Sequence, residues 1–380
     1  MLRSVFLVLL AAALPVSAQL GAAPPATRPV IHSTPPGGTL VPRPIPGTQA
    51  TTRQVAVPAS SPLDAKPAGD DALRLQIFLD ESNFGPGIVD GKPGHFTELA
   101  VNSWNEVNGY PASDWIAVNT AARKAVLNPL AVALVPDVVK DWVDPDLPTK
   151  VSLQAKKKLM AYRSIGEFMS ERYHCDEEYL VVLNGSGKIT NLKARDSIIV
   201  PNITPFYIEK LTGARHEADP VLSLRHVVVD TKMNQARIFE AAPAALVVAE
   251  PGAAETTPVT RPNRGLIASF PITPGQPKFI KFGTWALRGM VELPYWRYDQ
   301  QLLDTGKRSS DSNSLNIPAG PNSPVGVIWN GLSKPGIGMH GTPNPETIGR
   351  ARSHGCIRLA NWDAIRLPNL IRPGATVEIR

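Results

Sequence analysis

Hydrophobic and polar positions follow different periods in successive parts of the chain, and this predicts several structural units. Between residues 71 and 104, apolar side chains recur at helical spacing in two short runs. A glycine-rich turn, Gly85–Gly91, separates the runs, and Thr97 is predicted to cap the second helix. We therefore predict a small helical domain over residues 71–145.

A second pattern occupies residues 160–204. A short amphipathic helix is predicted at Ile165–Met169, followed by the apolar segment Leu180–Asn184. A strand-like run, Asp196–Asn202, closes the segment. The order of these elements predicts a small α+β module.

From Leu224 onward the pattern becomes typical of β-strands. The runs His226–Asp230 and Gln235–Phe239 are separated by a short polar turn, which predicts a hairpin. We predict a mainly β C-terminal domain over residues 224–380, with one late helix near Trp362–Leu370. Further predicted strands are Leu266–Phe270, Lys278–Phe282, Val325–Trp329 and Ala375–Ile379.

The N-terminal residues indicate the compartment. Val5–Leu14 is an apolar run that Pro15 ends, and small residues up to Ala18 follow, as a signal peptidase requires. The run is about half the roughly 20 residues that a membrane-spanning helix needs. We therefore predict a signal peptide over residues 1–18, export to the periplasm or cell wall, and no integral membrane span after cleavage; an uncleaved anchor is the alternative.

The composition of residues 19–70 predicts a disordered linker, because this stretch is rich in proline and poor in large apolar side chains. The whole chain has 380 residues, 38 of them proline, and a formal net charge of +6. Such a mild positive charge suits a polyanionic envelope. No basic run is interleaved with aromatic residues, which argues against nucleic acid as a partner.

The candidate chemistry lies in Gly338–Thr342 and Ser353–Leu359. Cys356 follows one histidine, His354, by two residues and another, His340, by sixteen. A thiolate is the reactive form of cysteine, and a nearby histidine can accept its proton, which predicts a Cys/His acyl-transfer site. Spacing alone leaves open which histidine is the base. No metal-ligand spacing and no nucleotide motif are present, so we predict neither a metal nor another cofactor.

The segment HGTPNPETIGRARSHGCIRL, residues 340–359, resembles the signature of the L,D-transpeptidase catalytic domain, also known as the YkuD domain. Ile317–Gly326 is similar to a Gly-Pro segment of the same family, and the resemblance spans residues 224–380. It implies a β-sandwich with short helices. Upstream, residues 71–145 resemble a helical peptidoglycan-binding domain and residues 160–204 a LysM-like module. The implied fold class is therefore multidomain.

The family resemblance implies a role for each residue of the motif. Cys356 matches the nucleophile, His340 the general base, and His354 the second histidine, which orients substrate or stabilises charge. Arg358 matches a position that binds a substrate carboxylate, a task suited to its planar guanidinium. The backbone N–H groups of Gly355 and Cys356 are expected to form an oxyanion hole. The other expected substrate-site residues are Ser353, Gly341 and Thr342.

The implied reaction cross-links peptidoglycan stem peptides through a cysteine thioester, with stem peptides and glycan strands as partners. Three alternatives stay open: an L,D-carboxypeptidase, an enzyme that attaches proteins to the wall, and a non-catalytic wall-binding protein. Segment 286–313 resembles no part of the family and is interpreted as a substrate-side lid. Residues 19–220 are expected to target the wall and to be dispensable for chemistry. Both cysteines are expected to be thiols.

Overall fold

The computed structural model describes residues 60–240, 265–305, 309, 314–350 and 355–380. The described residues, from residue 60 to Arg380, pack as one compact unit. The predicted signal peptide and the predicted linker as far as residue 59 lie outside the described residues. So do two of the predicted site residues, Ser353 and His354.

The predicted N-terminal helical domain is present as three helices. These are α1, Gly69–Glu81; α2, His95–Asn108; and α3, Trp115–Ala125. Leu75, Trp104 and Val118 meet in their common core. The glycine-rich turn is held to α1 because the Gly91 N–H donates to the side-chain oxygen of Gln76 at 2.7 Å.

The prediction that Thr97 caps α2 is wrong. The helix begins two residues earlier, at His95, with Gly94 in the capping position. Thr97 is buried inside the first turn, and its hydroxyl donates to the carbonyl oxygen of Pro86 at 3.3 Å. The Thr97 side chain therefore connects α2 to the preceding turn by a hydrogen bond.

The second module is built on a two-stranded antiparallel sheet covered by helices. Its two strands pair with Val132 opposite Ile199. The first strand therefore lies ahead of the predicted range 160–204. The apolar segment Leu180–Asn184 forms the C-terminal part of a helix. The elements are β1, Leu130–Leu134; α4, Val139–Trp142; α5, Val151–Gln154; α6, Ile165–Arg172; α7, Glu177–Asn184; α8, Ser186–Thr190; and β2, Ser197–Pro201.

The C-terminal region is mainly β, as predicted. Its strands are β3, Arg215–His216; β4, His226–Asp230; β5, Gln235–Phe239; β6, Leu266–Pro271; β7, Gly283–Glu292; β8, Trp296–Tyr298; β9, Leu315–Ile317; β10, Ile328–Leu332; β11, Gly338–His340; β12, Ile357–Arg358; and β13, Thr376–Ile379. Its helices are α9, Gln300–Thr305; α10, Asn361–Ala364; and α11, Leu367–Leu370. Short 3-10 turns occupy Ile208–Lys210, Leu222–Leu224 and Pro345–Thr347.

One nine-stranded sheet runs in the order β12-β11-β10-β7-β13-β4-β5-β6, with β3 also paired to β7. The long strand β7 joins two halves, because its first residues pair with β13 and its later residues with β10. Ile238 and Phe270 from one half share a core with Met290 and Met339 from the other. This shared core is consistent with the predicted β-sandwich.

Several predicted elements differ in their bounds. The hairpin at 226–239 is confirmed, whereas Lys278–Phe282 is not a strand and precedes β7. The strand predicted at Val325–Trp329 begins at Ile328, and the late helix is two short helices. The interpretation of 286–313 as a lid is wrong for its first part, because residues 286–292 belong to the central strand β7.

The upstream modules contact the sheet at several points. Backbone N–H of Gly85 donates to the Ser269 carbonyl of β6 at 2.7 Å, and Met160 donates its N–H to the Ala319 carbonyl at 2.8 Å. The upstream modules therefore pack directly against the C-terminal region, and the dispensability of residues 19–220 for chemistry stays a prediction. No helix among the described residues is long and apolar enough to cross a membrane.

Candidate active site

The register of two short parallel strands brings the candidate residues together. In β11 and β12, Met339 lies opposite Ile357 and His340 lies opposite Arg358. Side chains alternate between the faces of a sheet, so the fully buried Met339 and Ile357 point into the core while His340 and Arg358 share the other face. Cys356 immediately precedes β12, and the positive charge of Arg358 acts on its thiol.

The imidazole of His340 is held on two sides. It stacks on the ring of Trp329, with centroids 5.5 Å apart and 20° between the planes. Its Nδ1 lies 2.6 Å from the carbonyl oxygen of Gly341. A carbonyl oxygen can only accept, so Nδ1 carries the proton and Nε2 of the neutral ring is the unprotonated nitrogen. This is the tautomer that a base needs.

Burial decides the protonation state of His340. It lowers the pKa of the imidazole to about 4, and the positive charge of Arg358 acts in the same direction, while the hydrogen bond to Gly341 opposes both. The side chain is only 4% exposed. His340 is therefore neutral near pH 7 and able to accept a proton.

Cys356 is half-buried and carries its proton in the resting site. Burial raises the pKa of the thiol to about 11, against the opposing effects of a hydrogen bond from the Gly338 backbone and of the Arg358 charge. The S–H group donates to the carbonyl oxygen of Gly336 at 3.5 Å. The resting pair is thus a neutral thiol and a neutral imidazole, and no thiolate–imidazolium pair is preformed.

Arg358 is positioned by backbone contacts. It exchanges two hydrogen bonds with Thr273, from Arg358 N–H to the Thr273 carbonyl at 3.0 Å and back at 2.9 Å. Burial lowers the pKa of the guanidinium, and the facing Cys356 opposes this shift. The cation therefore lies where negative charge would develop on the sulfur.

The loop between β6 and β7 covers the backbone next to Cys356. A Cβ added at Gly275 would lie 2.5 Å from the Cα of Gly355, so the two glycines pack backbone against backbone. Phe279 lies on the other side of Gly355, where an added Cβ would be 3.4 Å away. This close packing requires glycine at position 275.

The remaining predicted site residues fall into two groups. Gly341 supplies the carbonyl that orients His340, and Thr342 is buried and accepts the Asn344 N–H at 3.4 Å, so its hydroxyl supports the local turn. The roles of His354 and Ser353 stay predictions, because these residues lie outside the described part of the chain.

Two residues of this site were missed by sequence reasoning. Trp329 was placed in a predicted strand without a role, although an aromatic residue one strand away from a histidine is a recognisable stacking partner. Asn361 is fully buried beside Gly341. The sequence does mark Asn361, because it is the one carboxamide in the otherwise apolar run Leu359-Ala360-Asn361-Trp362.

The second cysteine has no part in this site. Cys175 is a buried thiol in the core of the α+β module, where burial raises its pKa well above the usual range. Cys175 and Cys356 are both thiols, as predicted. Among the described residues, no cluster of three or more His, Cys, Asp or Glu side chains is arranged to hold a metal ion.

Most of the C-terminal region matches the model of a known protein family. Residues 251–379 match the YkuD family model, the L,D-transpeptidase catalytic domain. This confirms the predicted catalytic domain over the matched residues. Strands β4 and β5, at residues 226–239, precede the match but belong to the same sheet.

Curated relatives match a short part of the chain. The protein YkuD of Bacillus subtilis (strain 168) is 45% identical over 65 residues, which is 17% of this chain and 40% of the relative. The protein YqjB of the same organism is 37% identical over 102 residues, 26% of this chain and 49% of the relative. The chain therefore spans less than half the length of these relatives.

Solved structures of L,D-transpeptidases show a partial overlap. L,D-transpeptidase 3 from Mycobacterium tuberculosis is 13% identical, with a TM-score of 0.28, over 50% of this chain and 76% of that chain. An L,D-transpeptidase from Mycobacterium smegmatis is 16% identical, with a TM-score of 0.27, over 41% of this chain and 58% of that chain. At this level of similarity the overlap has no bearing on which residues do chemistry.

Proposed function

Starting from an L,D-transpeptidase catalytic domain at residues 251–379, we propose that the protein is an exported cysteine acyltransferase that cross-links peptidoglycan stem peptides. The observation that carries this proposal is the register of β11 and β12, which sets Arg358 opposite His340 with Cys356 immediately before β12, while Nδ1 of His340 is bonded to the Gly341 carbonyl. A nucleophile, a base of fixed tautomer and a cation are the parts that acyl transfer by a thiol needs.

In the first half-reaction, the Cys356 thiol passes its proton to Nε2 of His340. The sulfur attacks the carbonyl carbon of the third residue of the donor stem, and the C=O electrons move onto oxygen. When this oxyanion collapses, the bond to the terminal D-amino acid breaks and the leaving amine takes the proton from His340. The product is a thioester on Cys356.

In the second half-reaction, the side-chain amine of a neighbouring stem attacks the thioester carbonyl. His340 accepts the proton that the amine loses, and the C–S bond breaks. The sulfur recovers that proton, which regenerates the thiol and leaves a new amide between the two stems.

Arg358 has two uses in this scheme. Its charge opposes the effect of burial on the thiol pKa, so it stabilises sulfur as negative charge develops. It is also the proposed partner of the substrate carboxylate, since guanidinium binds carboxylate in a bidentate manner. The backbone N–H groups of Gly355 and Cys356 are the proposed oxyanion hole.

The proposed setting is the cell wall. The N-terminal signal pattern over residues 1–18 supports export, and the mild net charge of +6 suits a polyanionic surface. The upstream helical domain and the α+β module with its two-stranded sheet are proposed to bind glycan strands.

The proposal is tested by incubating the full-length protein with purified muropeptides and separating the products by liquid chromatography with mass detection. A cross-linked dimer, lost in Cys356→Ala, supports transpeptidation. Trimmed tripeptide without dimer indicates the L,D-carboxypeptidase instead, and transfer only to an added protein or free D-amino acid indicates wall attachment. If no product forms with any acceptor, the protein is a non-catalytic wall-binding protein and the proposal is overturned.

A further inference from the structure

A chain of buried contacts, made of two hydrogen bonds and one packing contact, connects helix α6, in the upstream module, to the proposed base. A carboxyl oxygen of Glu171 accepts the side-chain N–H of Asn361 at 2.7 Å. The other carboxyl oxygen accepts the hydroxyl of Tyr162. Glu171 is 6% exposed and Asn361 is completely buried. Helix α6 ends 79 residues before the family match begins at residue 251, so Glu171 is outside the residues that match the catalytic domain.

Asn361 in turn holds the backbone next to His340. Its side-chain oxygen accepts the Val327 N–H at 3.1 Å, and its amide also donates to the Pro321 carbonyl at 3.3 Å. The carboxamide fills the space beside Gly341, where an added Cβ would collide with its oxygen. Displacement of Asn361 would therefore shift Gly341.

The last contact of the chain sets the base itself. The Gly341 carbonyl accepts Nδ1–H of His340 at 2.6 Å and so selects the tautomer with an unprotonated Nε2. If the Gly341 carbonyl moved away, the His340 ring could adopt the other tautomer or another rotamer. Each contact in the path from Glu171 to His340 is thus a direct one.

We propose that Glu171 is a positioning residue for the reaction: acting through Asn361 and Gly341, it fixes the orientation and tautomer of His340. This inference rests on the proposed role of His340 as the base. It makes the upstream module a part of the catalytic apparatus in addition to any role in targeting.

The protonation state of Glu171 guides the choice of variants. Burial raises the pKa of this carboxyl to about 8, while the hydrogen bonds from Tyr162 and Asn361 act against burial and the nearby Glu167 acts with it. The side chain is therefore mostly neutral at pH 7. Glu171→Gln keeps this neutrality and an acceptor for Asn361, whereas Glu171→Met keeps only the length of the side chain.

The same helix offers a matched control. Glu167 lies one turn before Glu171 and also reaches across to the C-terminal region, where it accepts the side-chain N–H of Asn322 at 2.8 Å. Among the described residues no hydrogen bond joins Asn322 to Asn361 or His340, although Asn322 follows Pro321, whose carbonyl is the longer, 3.3 Å partner of Asn361. Glu167→Met therefore removes a polar contact across the same boundary without breaking the path to the base.

The experiment uses the full-length chain and two readouts. The first is kcat and KM for muropeptide cross-linking. The second is the rate at which iodoacetamide alkylates Cys356 between pH 5 and 10, followed by peptide mass mapping, since this rate reports proton transfer from the thiol and needs no wall substrate. Thermal unfolding checks that each variant is folded.

We expect Glu171→Met to lower kcat at least 10-fold with KM changed less than 3-fold. Alkylation should slow by a similar factor at pH 7, and the difference from wild type should narrow as pH rises to 10, because solvent ionises a growing fraction of the thiol. Glu171→Gln should stay within about 3-fold of wild type in both readouts, and Glu167→Met should leave alkylation unchanged. If Glu171→Met does not fold, Glu171→Asp, which withdraws the carboxyl by one methylene, should give an intermediate loss.

Wild-type alkylation in folded Glu171→Met or Glu171→Asp would overturn the inference. So would an equal loss in Glu167→Met, or a change confined to KM, because these indicate a general structural role. If wild type produces no cross-link at all, the proposed function fails, while the alkylation series still decides whether Glu171 positions His340.

Discussion

His340 donates Nδ1–H to the carbonyl oxygen of the next residue in the chain, Gly341, at 2.6 Å. The contact is made between neighbours, yet it depends on how Gly341 is packed, because the carboxamide of Asn361 lies against it. The same contact leaves Nε2 as the nitrogen that can accept a proton.

Removal of the thiol should abolish turnover without unfolding the protein. Cys356→Ala loses the atom that forms the thioester, and the half-buried side chain contributes little to packing. We expect no detectable cross-linking and a melting temperature within about 2 °C of wild type. The matched control is Cys175→Ala, which should keep activity but lose roughly 1 kcal/mol of stability because it trims a buried side chain. Cross-linking by folded Cys356→Ala would show that the nucleophile is elsewhere.

The pH dependence of kcat should have its acid limb near the His340 pKa of about 4, well below the usual value of 6.5 for histidine. Protonated imidazole cannot accept the thiol proton, so the rate should be level from pH 6 to 8 and fall as pH approaches 4. His340→Ala should lose at least about 100-fold at pH 7, the usual contribution of a general base. Its residual rate should rise with pH, since the Cys356 thiol ionises near 11. An acid limb at pH 6.5 would contradict a buried neutral base.

The stability of the protein should report the buried acid at Glu171. Its pKa is raised in the folded state to about 8 from the ordinary 4.5, so between these values the folded protein retains a proton that the unfolded chain releases. The free energy of unfolding contributed by this group is therefore greatest below pH 4.5 and is lost as pH rises through 8. Relative to wild type, Glu171→Gln should become progressively more stable from pH 5 to 8 in urea unfolding. A difference independent of pH would mean that the carboxyl is ionised when folded.

Replacement of Gly341 by alanine should impair both stability and rate. The added methyl group would collide with the Asn361 oxygen, and overpacking of this kind costs about 1–3 kcal/mol. The shift of the Gly341 carbonyl should also lower kcat, because it disturbs His340. Gly289→Ala, on β7 of the same sheet, is the control: a Cβ there meets no atom within 4 Å, so stability and kcat should be unchanged. If Gly341→Ala and Gly289→Ala had the same stability and the same kcat, a collision with Asn361 would not explain the effect of the Gly341 change.

A piece limited to residues 224–380 should be impaired even on soluble muropeptides. It lacks the acceptor that Glu171 provides for Asn361, and it exposes Trp362, which stacks on His174 of the upstream module in the full chain. We expect aggregation or a melting temperature lowered by more than 10 °C, with kcat reduced at least 10-fold. A stable fragment with full turnover would restore the view that residues 19–220 serve targeting alone.

Much of the site could be predicted from local sequence. Cys356 with two histidines near it in the sequence predicted acyl-transfer chemistry, because a nucleophile and a base are defined by residue type, and spacing left open which histidine is the base. The hairpin at 226–239 and helix α1 followed from hydrophobic period, since apolar side chains must share one face of an element. The bounds of short elements were less predictable: α2 begins before Thr97, and β7 begins after the predicted strand 278–282.

Other features were decided only by tertiary structure. The pairing of β1 with β2 joins residues more than 60 positions apart, and the parallel register of His340 with Arg358 spans a 16-residue connection. Long-range pairing depends on which surfaces bury one another, and no local period encodes it. The same holds for Glu171, which reads in the sequence as one more acid on an amphipathic helix. Sequence by itself singled out Cys356 and His340 as the candidate nucleophile and base. Packing determined the tautomer of His340, the protonation of the Cys356 thiol and the part of the chain that holds them, because burial and hydrogen-bond partners are set by distant segments.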